Sequence, residues 1–397
     1  MRLIDCNCGY LDHSLRLPSV GCWRAIMVWW CVNLKLSFRP FFYQQNMIGT
    51  GSAAKRKLLL TADTLLRCTL GPLNISAIRT TKLQQHAANA WKWENQDEAS
   101  LKEKWSASSN ANLLMASFLS GEERIRARMS MGHEYTAITE AMALGEVRGS
   151  LESYDATHIQ KNQIYLEIDR ILYNSTQPFT SSVVIDNNTK DETLNNATHK
   201  TEQIWQHYLD TSEQGQMSRI LLMHQKEDQK ENQLEWSGGI MLQSLGRSGM
   251  ATNEKEKATI NGISNGEYDS IMMNEFSQWW DENNNHITTV LMNESSITGL
   301  DGALQSALSQ SPLLSPSSSS AFSVTFEDVR MKSCDFYCRC TTEQFIFKMK
   351  SLPIQNLVEL LGELRASTKM DPTLDLTCHH CNKKHPLTEQ DIEDMLT

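Results

Sequence analysis

The sequence predicts an α+β fold in three parts: an N-terminal mixed sheet-plus-helix domain, a helical linker and a small C-terminal four-cysteine zinc domain. Three observations predict it. Between residues 58 and 246, segments with an apolar period of two stand among only two helical stretches. Residues 247–308 carry scattered apolar residues at loose helical spacing and run into a Ser-rich stretch at 309–320. Near the C-terminus, Cys338-Arg339-Cys340 is followed, after a 37-residue gap, by Cys378-His379-His380-Cys381.

Residues 1–57 form a variable or targeting extension. They are poor in acids and contain Arg2, Arg16, Arg24 and Arg39, as a transit segment does. Asp5, Asp12 and the run Trp29-Trp30-Cys31 are foreign to such segments. A variable tail, or a start at Met47, is the other reading. The sheet domain, 58–246, opens with the apolar stretch Leu58–Leu66, a strand or a helix start, and Leu70–Thr81 has strand character around Ile75 and Ile78. Ala107–Phe118 reads as a helix, with Ala107, Ala111, Leu114, Met115 and Phe118 recurring and Gly121 as its stop. Ile125, Ala127 and Met129 alternate with three arginines, which is strand periodicity. Gly145-Glu146-Val147-Arg148-Gly149 is a short segment bounded by glycines. Strands follow at Ile164–Ile168 and Phe179–Ile185, a helix at Ile204–Leu209, and strands at Arg219–His224 and Ser237–Leu242.

The linker is assigned to 247–333. Its apolar residues (Ile271, Met272, Phe276, Trp279, Trp280, Ile287, Val290, Leu291) give a modest apolar face, and its Ser-rich end is low in complexity. The zinc domain is assigned to 334–397. Ile354, Leu357, Leu360 and Leu361 space an amphipathic helix between the cysteine pairs. Thr388, with Asp391 three residues on, caps a last helix.

The net charge of −10 is unevenly spread. Residues 1–93 hold 12 Lys/Arg and 3 Asp/Glu; the rest of the chain holds 25 Lys/Arg against 44 Asp/Glu. An acidic body disfavours nucleic acid, whose phosphates need clustered cations. The most apolar run, Ala25–Val32, is far short of the roughly 20 residues that span a membrane. Ten cysteines in 397 residues are too few for a disulfide scaffold and favour a reducing compartment. The cytoplasm is expected, or a mitochondrion or plastid if 1–57 is a transit segment. The chain shows no Walker A loop, G-x-G-x-x-G, G-x-S-x-G or H-E-x-x-H, so no enzyme activity and no nucleotide are expected.

Cys338, Cys340, Cys378 and Cys381 together make a complete four-thiolate set for one zinc ion. From spacing alone, a purely structural ribbon in a constitutive interaction module and a redox switch both stand. A thiol oxidoreductase is disfavoured, because Cys378 follows no βαβ pattern. His379, His380 and His385 are surplus to a filled shell and are read as solvated or as lying behind the ligands. Cys334 is read as a bystander thiol, close enough in sequence for disulfide exchange.

Phe336-Tyr337-Cys338-Arg339-Cys340 and Leu376-Thr377-Cys378-His379-His380-Cys381 resemble the zinc switch of the heat-shock protein 33 family of redox-regulated holdase chaperones. Gly145–Gly149 is similar to the family's G-x-x-R-G segment, and Ser237-Gly238-Gly239-Ile240-Met241-Leu242-Gln243 to the glycine-pair strand that closes the sheet domain. The longer gap between the cysteine pairs, the Ser-rich stretch, Cys334 and residues 1–57 depart from the family pattern. The resemblance implies one zinc per reduced chain on Cys338, Cys340, Cys378 and Cys381. It implies disulfides Cys338–Cys340 and Cys378–Cys381 on oxidation, with loss of zinc. It also implies ATP-independent binding of unfolded clients, a reduced monomer and an oxidised homodimer.

Overall fold

In the computed structural model of the chain, residues 63–396 are described apart from connecting segments, the longest being 153–162, 187–195, 226–235, 245–264 and 313–325. The expectations for residues 1–57 and for Leu313–Ser320 lie outside the described residues. The described chain falls into two compact units, one ending at Cys338 and one holding Arg339–Thr397.

The strands of the larger unit divide into two sheets, a division on which the sequence is silent. The first has the order β10-β1-β2-β9-β8, with β1 at Thr64–Leu70, β2 at Leu73–Arg79, β8 at Ser218–Gln225, β9 at Trp236–Ser244 and β10 at Phe326–Ser333. The second runs β11-β5-β4-β3-β6-β7. Its strands are β3 (Arg124–Met131), β4 (Tyr135–Met142), β5 (Glu146–Glu152), β6 (Gln163–Ile171), β7 (Phe179–Asp186) and the two-residue β11 (Asp335–Phe336). All pairings in both sheets are antiparallel except β11 on β5. Strand order across a sheet is a long-range property, and local periodicity does not carry it.

Helices α2 (Ala99–Ala116) and α3 (Ala197–Ser212) lie between the sheets, and α1 (Thr81–Trp91) packs beside α2. The first core joins Leu113, Leu114, Ile204 and Trp205 to inward residues of both sheets, among them Ile125, Leu166, Ile78 and Met241. A helix covered on two sides cannot present a solvated face, so the Ser and Asn residues of α2 find partners inside. Ser106, Ser109, Asn110 and Asn112 are all fully buried. Asn110 donates to Ser237 Oγ (3.0 Å) and to the Gly238 carbonyl (3.2 Å) on the first sheet. Asn112 donates to Thr139 Oγ1 (3.0 Å) and to the Ile125 carbonyl (3.3 Å) on the second. Pairing of this kind offsets a desolvation cost of about 1–3 kcal/mol per group.

The linker segment is helical over 265–294 and 299–308, as its apolar spacing suggests, but its last residues, Phe326–Ser333, form strand β10. Helices α4 (Asn265–Glu294) and α5 (Gly299–Leu308) form a second core on the outer face of the first sheet. Phe276, Trp280, Ile287 and Leu291 of α4 and Leu300, Leu304 and Leu308 of α5 are fully buried against Leu66, Leu70, Ile75 and Leu242. Few apolar residues suffice here because they are large and share one face; full burial of each is worth about 1.5–3 kcal/mol. Ser311, in the first turn of the Ser-rich stretch, is itself buried.

The smaller unit holds α6 (Thr342–Met349), α7 (Ile354–Arg365), the hairpin β12 (Leu374–Thr377) with β13 (Lys384–Leu387), and α8 (Glu389–Leu396). Its core is Met349, Leu357, Leu361, Leu364, Leu387 and Ile392. That is a small core, of the size that ordinarily needs a metal or disulfide to stand alone. No described helix is long and apolar enough to cross a membrane.

Candidate metal centre

The chain reaches Cys338 along a path that the larger unit fixes closely. Strand β11 pairs in parallel with β5, Asp335 opposite Glu146 and Phe336 opposite Val147. The Asp335 N–H donates to the Gly145 carbonyl (3.1 Å) and the Tyr337 N–H to the Val147 carbonyl (3.0 Å). Gly145 has φ +96°, and a Cβ there would collide with the Ser333 carbonyl oxygen. Only glycine lets the strand pass. Phe336 stacks edge-on against the buried Trp105, with ring centroids 5.9 Å apart. Arg148, from the same glycine-bounded segment, donates from Nη1 to Cys338 Sγ (3.8 Å) and from Nη2 to Glu140 Oε1 (2.8 Å). Burial alone would lower the Arg148 pKa. The negative partners Glu140 and Cys338 outweigh it and raise that pKa above the usual arginine value. The segment Gly145–Gly149 is thus the seat of the chain that carries Cys338.

The other sulfurs are set by turns and caps in the smaller unit. Directly after Cys340, Thr341 and Gln344 form a reciprocal capping box that starts α6. Between β12 and β13, the Cys378 N–H donates to the Lys383 carbonyl (2.8 Å) and the Asn382 N–H to the Cys378 carbonyl (2.9 Å). Asn382 takes the left-handed φ of +56° that this turn demands. Thr388 accepts from the Asp391 N–H (3.2 Å) while Asp391 accepts from the Thr388 N–H (2.7 Å), the cap that starts α8.

The structure brings Cys338, Cys340, Cys378 and Cys381 together, with all four Sγ atoms within 4.8 Å of one another. Cys340 and Cys381 Sγ are 3.5 Å apart. Tetrahedral zinc with bonds near 2.3 Å would space its sulfurs by about 3.8 Å, so the four residues fit such an ion. The four described thiols are not paired as disulfides.

His385 is the residue that spacing undervalued. It is buried (2% exposed), with Nε2 3.2 Å from Cys340 Sγ and Nδ1 3.2 Å from Thr342 Oγ1. Its ring lies 4.7 Å from that of Phe345. If Thr342 donates to Nδ1, the Nε2–H points at the sulfur, and a group so placed orients a ligand thiolate. The signal was in the sequence: His385 and Thr342 each lie a few residues from a cysteine. Cys334 is different. Its side chain belongs to the first core, and burial pushes its thiol pKa far above the usual value. Cys68, in the second core, is pushed up to about 12 by burial as well. Thiols so rarely ionised are poor nucleophiles, so Cys334 is no ready partner for exchange while this packing holds.

A family model described as Hsp33 protein matches residues 63–388. Among solved structures, the chain is similar to the 33 kDa chaperonin (heat shock protein 33 homolog) of Thermotoga maritima. The TM-score is 0.53 at 15% identity, covering 84% of this chain and 98% of that one. At that identity the likeness is one of fold. No curated protein matches the chain in sequence.

Proposed function

Because this chain belongs to the Hsp33 family, a family of chaperones and not of enzymes, we propose that it is a redox-regulated holdase that binds unfolded proteins without ATP. The observation that carries the reading is the four-sulfur cluster, with Cys338 five residues beyond the last residue of β10. We assign Cys338, Cys340, Cys378 and Cys381 as the ligands of one Zn2+ per reduced chain. When bound, zinc would cross-link the two cysteine pairs and supply the folding energy that the small core lacks, about 10–16 kcal/mol in small zinc peptides.

Peroxide is the assigned oxidant class. In each pairing, Cys338–Cys340 and Cys378–Cys381, two thiolates give up two electrons and join in an S–S bond. The peroxide O–O bond breaks and, with two protons, leaves as two waters. A disulfide sulfur is a far poorer donor than a thiolate, so the cross-link is lost and the smaller unit unfolds. Clients are unfolded or partly folded chains; the reduced form is a monomer and the oxidised form a homodimer.

The test measures zinc content, thiol count and suppression of client aggregation before and after peroxide, without nucleotide. One zinc and weak suppression are expected before; no zinc, four fewer thiols and strong suppression are expected after. Equal suppression in both states would leave a constitutive interaction module with a structural zinc ribbon.

A further inference from the structure

Through the two-residue β11, the element that precedes Cys338 is strand β10 and not the helices of the linker. It covers an edge of the first sheet, and several features mark it as the weakest strand of that sheet. Glu327, Asp328, Val329 and Arg330 are all exposed, and only Phe326 and Met331 pack against the second core. Its register on β1 breaks between Arg67 and Thr69, beside Asp328 at a left-handed φ of +53°. Arg330 stands directly opposite Arg67, and Lys332 is two residues further on. Like charges facing each other across a ladder weaken it. Burial and then Arg330 lower the Arg67 pKa, with Asp328, the ion-pair partner of Arg330 (3.1 Å), acting the other way; burial and then Arg67 and Arg330 lower that of Lys332.

Strand β1 itself is secure. It pairs with β2 over its whole length, Thr64↔Arg79 to Leu70↔Leu73, and five of its seven residues are buried. Arg67 is held from within its unit, donating to the Ser117 carbonyl (3.3 Å) and lying 5.4 Å over the Phe118 ring. Removing β10 would therefore leave an intact, fixed sheet edge with a row of unpaired N–H and C=O groups, a template for another strand.

Resting on the redox reading above, we propose that β1 is a client-binding edge: an extended stretch of an unfolded polypeptide pairs antiparallel with Thr64–Leu70 in the place that β10 leaves. Five of the eight residues of its present occupant are exposed, and its side-chain ties are Phe326 and Met331 on the second core and Lys332 Nζ donating to the Ala143 carbonyl (2.8 Å); the rest of the pairing is backbone, which tolerates many sequences, as binding of unfolded chains requires. Once Arg330 and Lys332 have gone, Arg67 favours a segment that is acidic or apolar opposite it. While the smaller unit is folded, Cys338 anchors the end of β11 and keeps β10 in place.

A labelled peptide with the sequence of Phe326–Ser333 tests this on the full chain. Oxidised protein should bind it and reduced protein should not. The Arg330→Glu form of the peptide should bind about twofold to fivefold tighter, since an opposite charge then faces Arg67. An unfolded client should displace the peptide. Hydrogen exchange at Thr64–Leu70 should speed up on oxidation and slow again when client is added. Cys334, buried where β10 meets β11, should become open to alkylation only in the oxidised form. Oxidised protein that suppresses aggregation but leaves β1 exchange unchanged, or binds the peptide without losing it to client, overturns the edge site and leaves the redox reading intact. Gly145→Ala, which drives the Ser333 carbonyl off its seat, covers the opposite case. If oxidation proves not to be the trigger, the reduced variant should still bind the peptide, and its failure to do so with the fold retained by circular dichroism also overturns the edge site.

Discussion

Arg148 Nη1 lies 3.8 Å from Cys338 Sγ while the same guanidinium holds the buried Glu140 at 2.8 Å. One side chain thus bridges a sheet carboxylate and a proposed metal ligand. Arg148→Ala would take from Glu140 its 2.8 Å partner, while Arg124 stays at 3.4 Å. Breaking a buried ion pair by removing one partner costs about 3–5 kcal/mol, and the exposure of Arg148 argues for the lower end. We expect a loss of about 3 kcal/mol in urea unfolding of the reduced protein, with faster amide exchange at Asp335–Tyr337. An unchanged midpoint would show that the contact is incidental.

His385→Ala should keep one zinc per chain but lose it to a chelator about 10–100-fold faster, as removal of a ligand-orienting group does. Cys340→Ser should bind zinc far more weakly. If the histidine variant loses stoichiometric zinc and the cysteine variant keeps it, the ligand assignment is wrong.

Glu202 gives a pH prediction. Burial raises its carboxyl from 4.5 to about 7, against the lowering effect of the hydrogen bond from the Leu222 N–H (2.8 Å). The folded pKa lies above the unfolded one, so the native state holds its proton longer. The associated stability is present below about pH 4.5 and is lost as pH rises to about 7. The shift is worth about 3 kcal/mol. Glu202→Gln keeps an acceptor for Leu222 and has no proton to lose. The variant should therefore be more stable than the parent at pH 8 and similar to it at pH 4.5, by denaturant midpoint. Parallel pH profiles for the two proteins would refute the assignment.

Leu304→Ala should destabilise the larger unit by about 2–5 kcal/mol, since Leu304 is buried in the second core. The linker helices should then open after β10 does, not before. Exchange at Phe276–Trp280 that speeds up ahead of Thr64–Leu70 on oxidation would reverse that order.

How far the sequence led is clear from particular residues. The clustering of the four cysteines was legible because a candidate ligand set is written in residue type and short spacing, and Thr388 with Asp391 was legible because a cap is local. Strands β3 and β6 announced themselves by alternation, and β2 by its isoleucines Ile75 and Ile78. Strand β10 did not: Glu327, Asp328, Arg330 and Lys332 make its sequence look like a solvated loop, which is how an exposed edge strand reads. Helix α1 escaped notice because Gln84, His86 and Asn89 dilute its apolar face. The second sheet was invisible because nothing in one strand says which neighbour it takes. Asn110 and Asn112 are polar residue types, yet both point into packed protein; a residue type cannot tell water from a buried amide partner.

Helix α2 has a further consequence through those two asparagines. Asn110 is bonded to one sheet and Asn112 to the other. Neither sheet can melt alone without stranding a buried amide, so the two are bound to one fate. A heating trace of the larger unit should show a single sharp transition. Such a chassis does not soften by degrees, so the proposed edge could be uncovered and covered again while the frame beneath it keeps its shape.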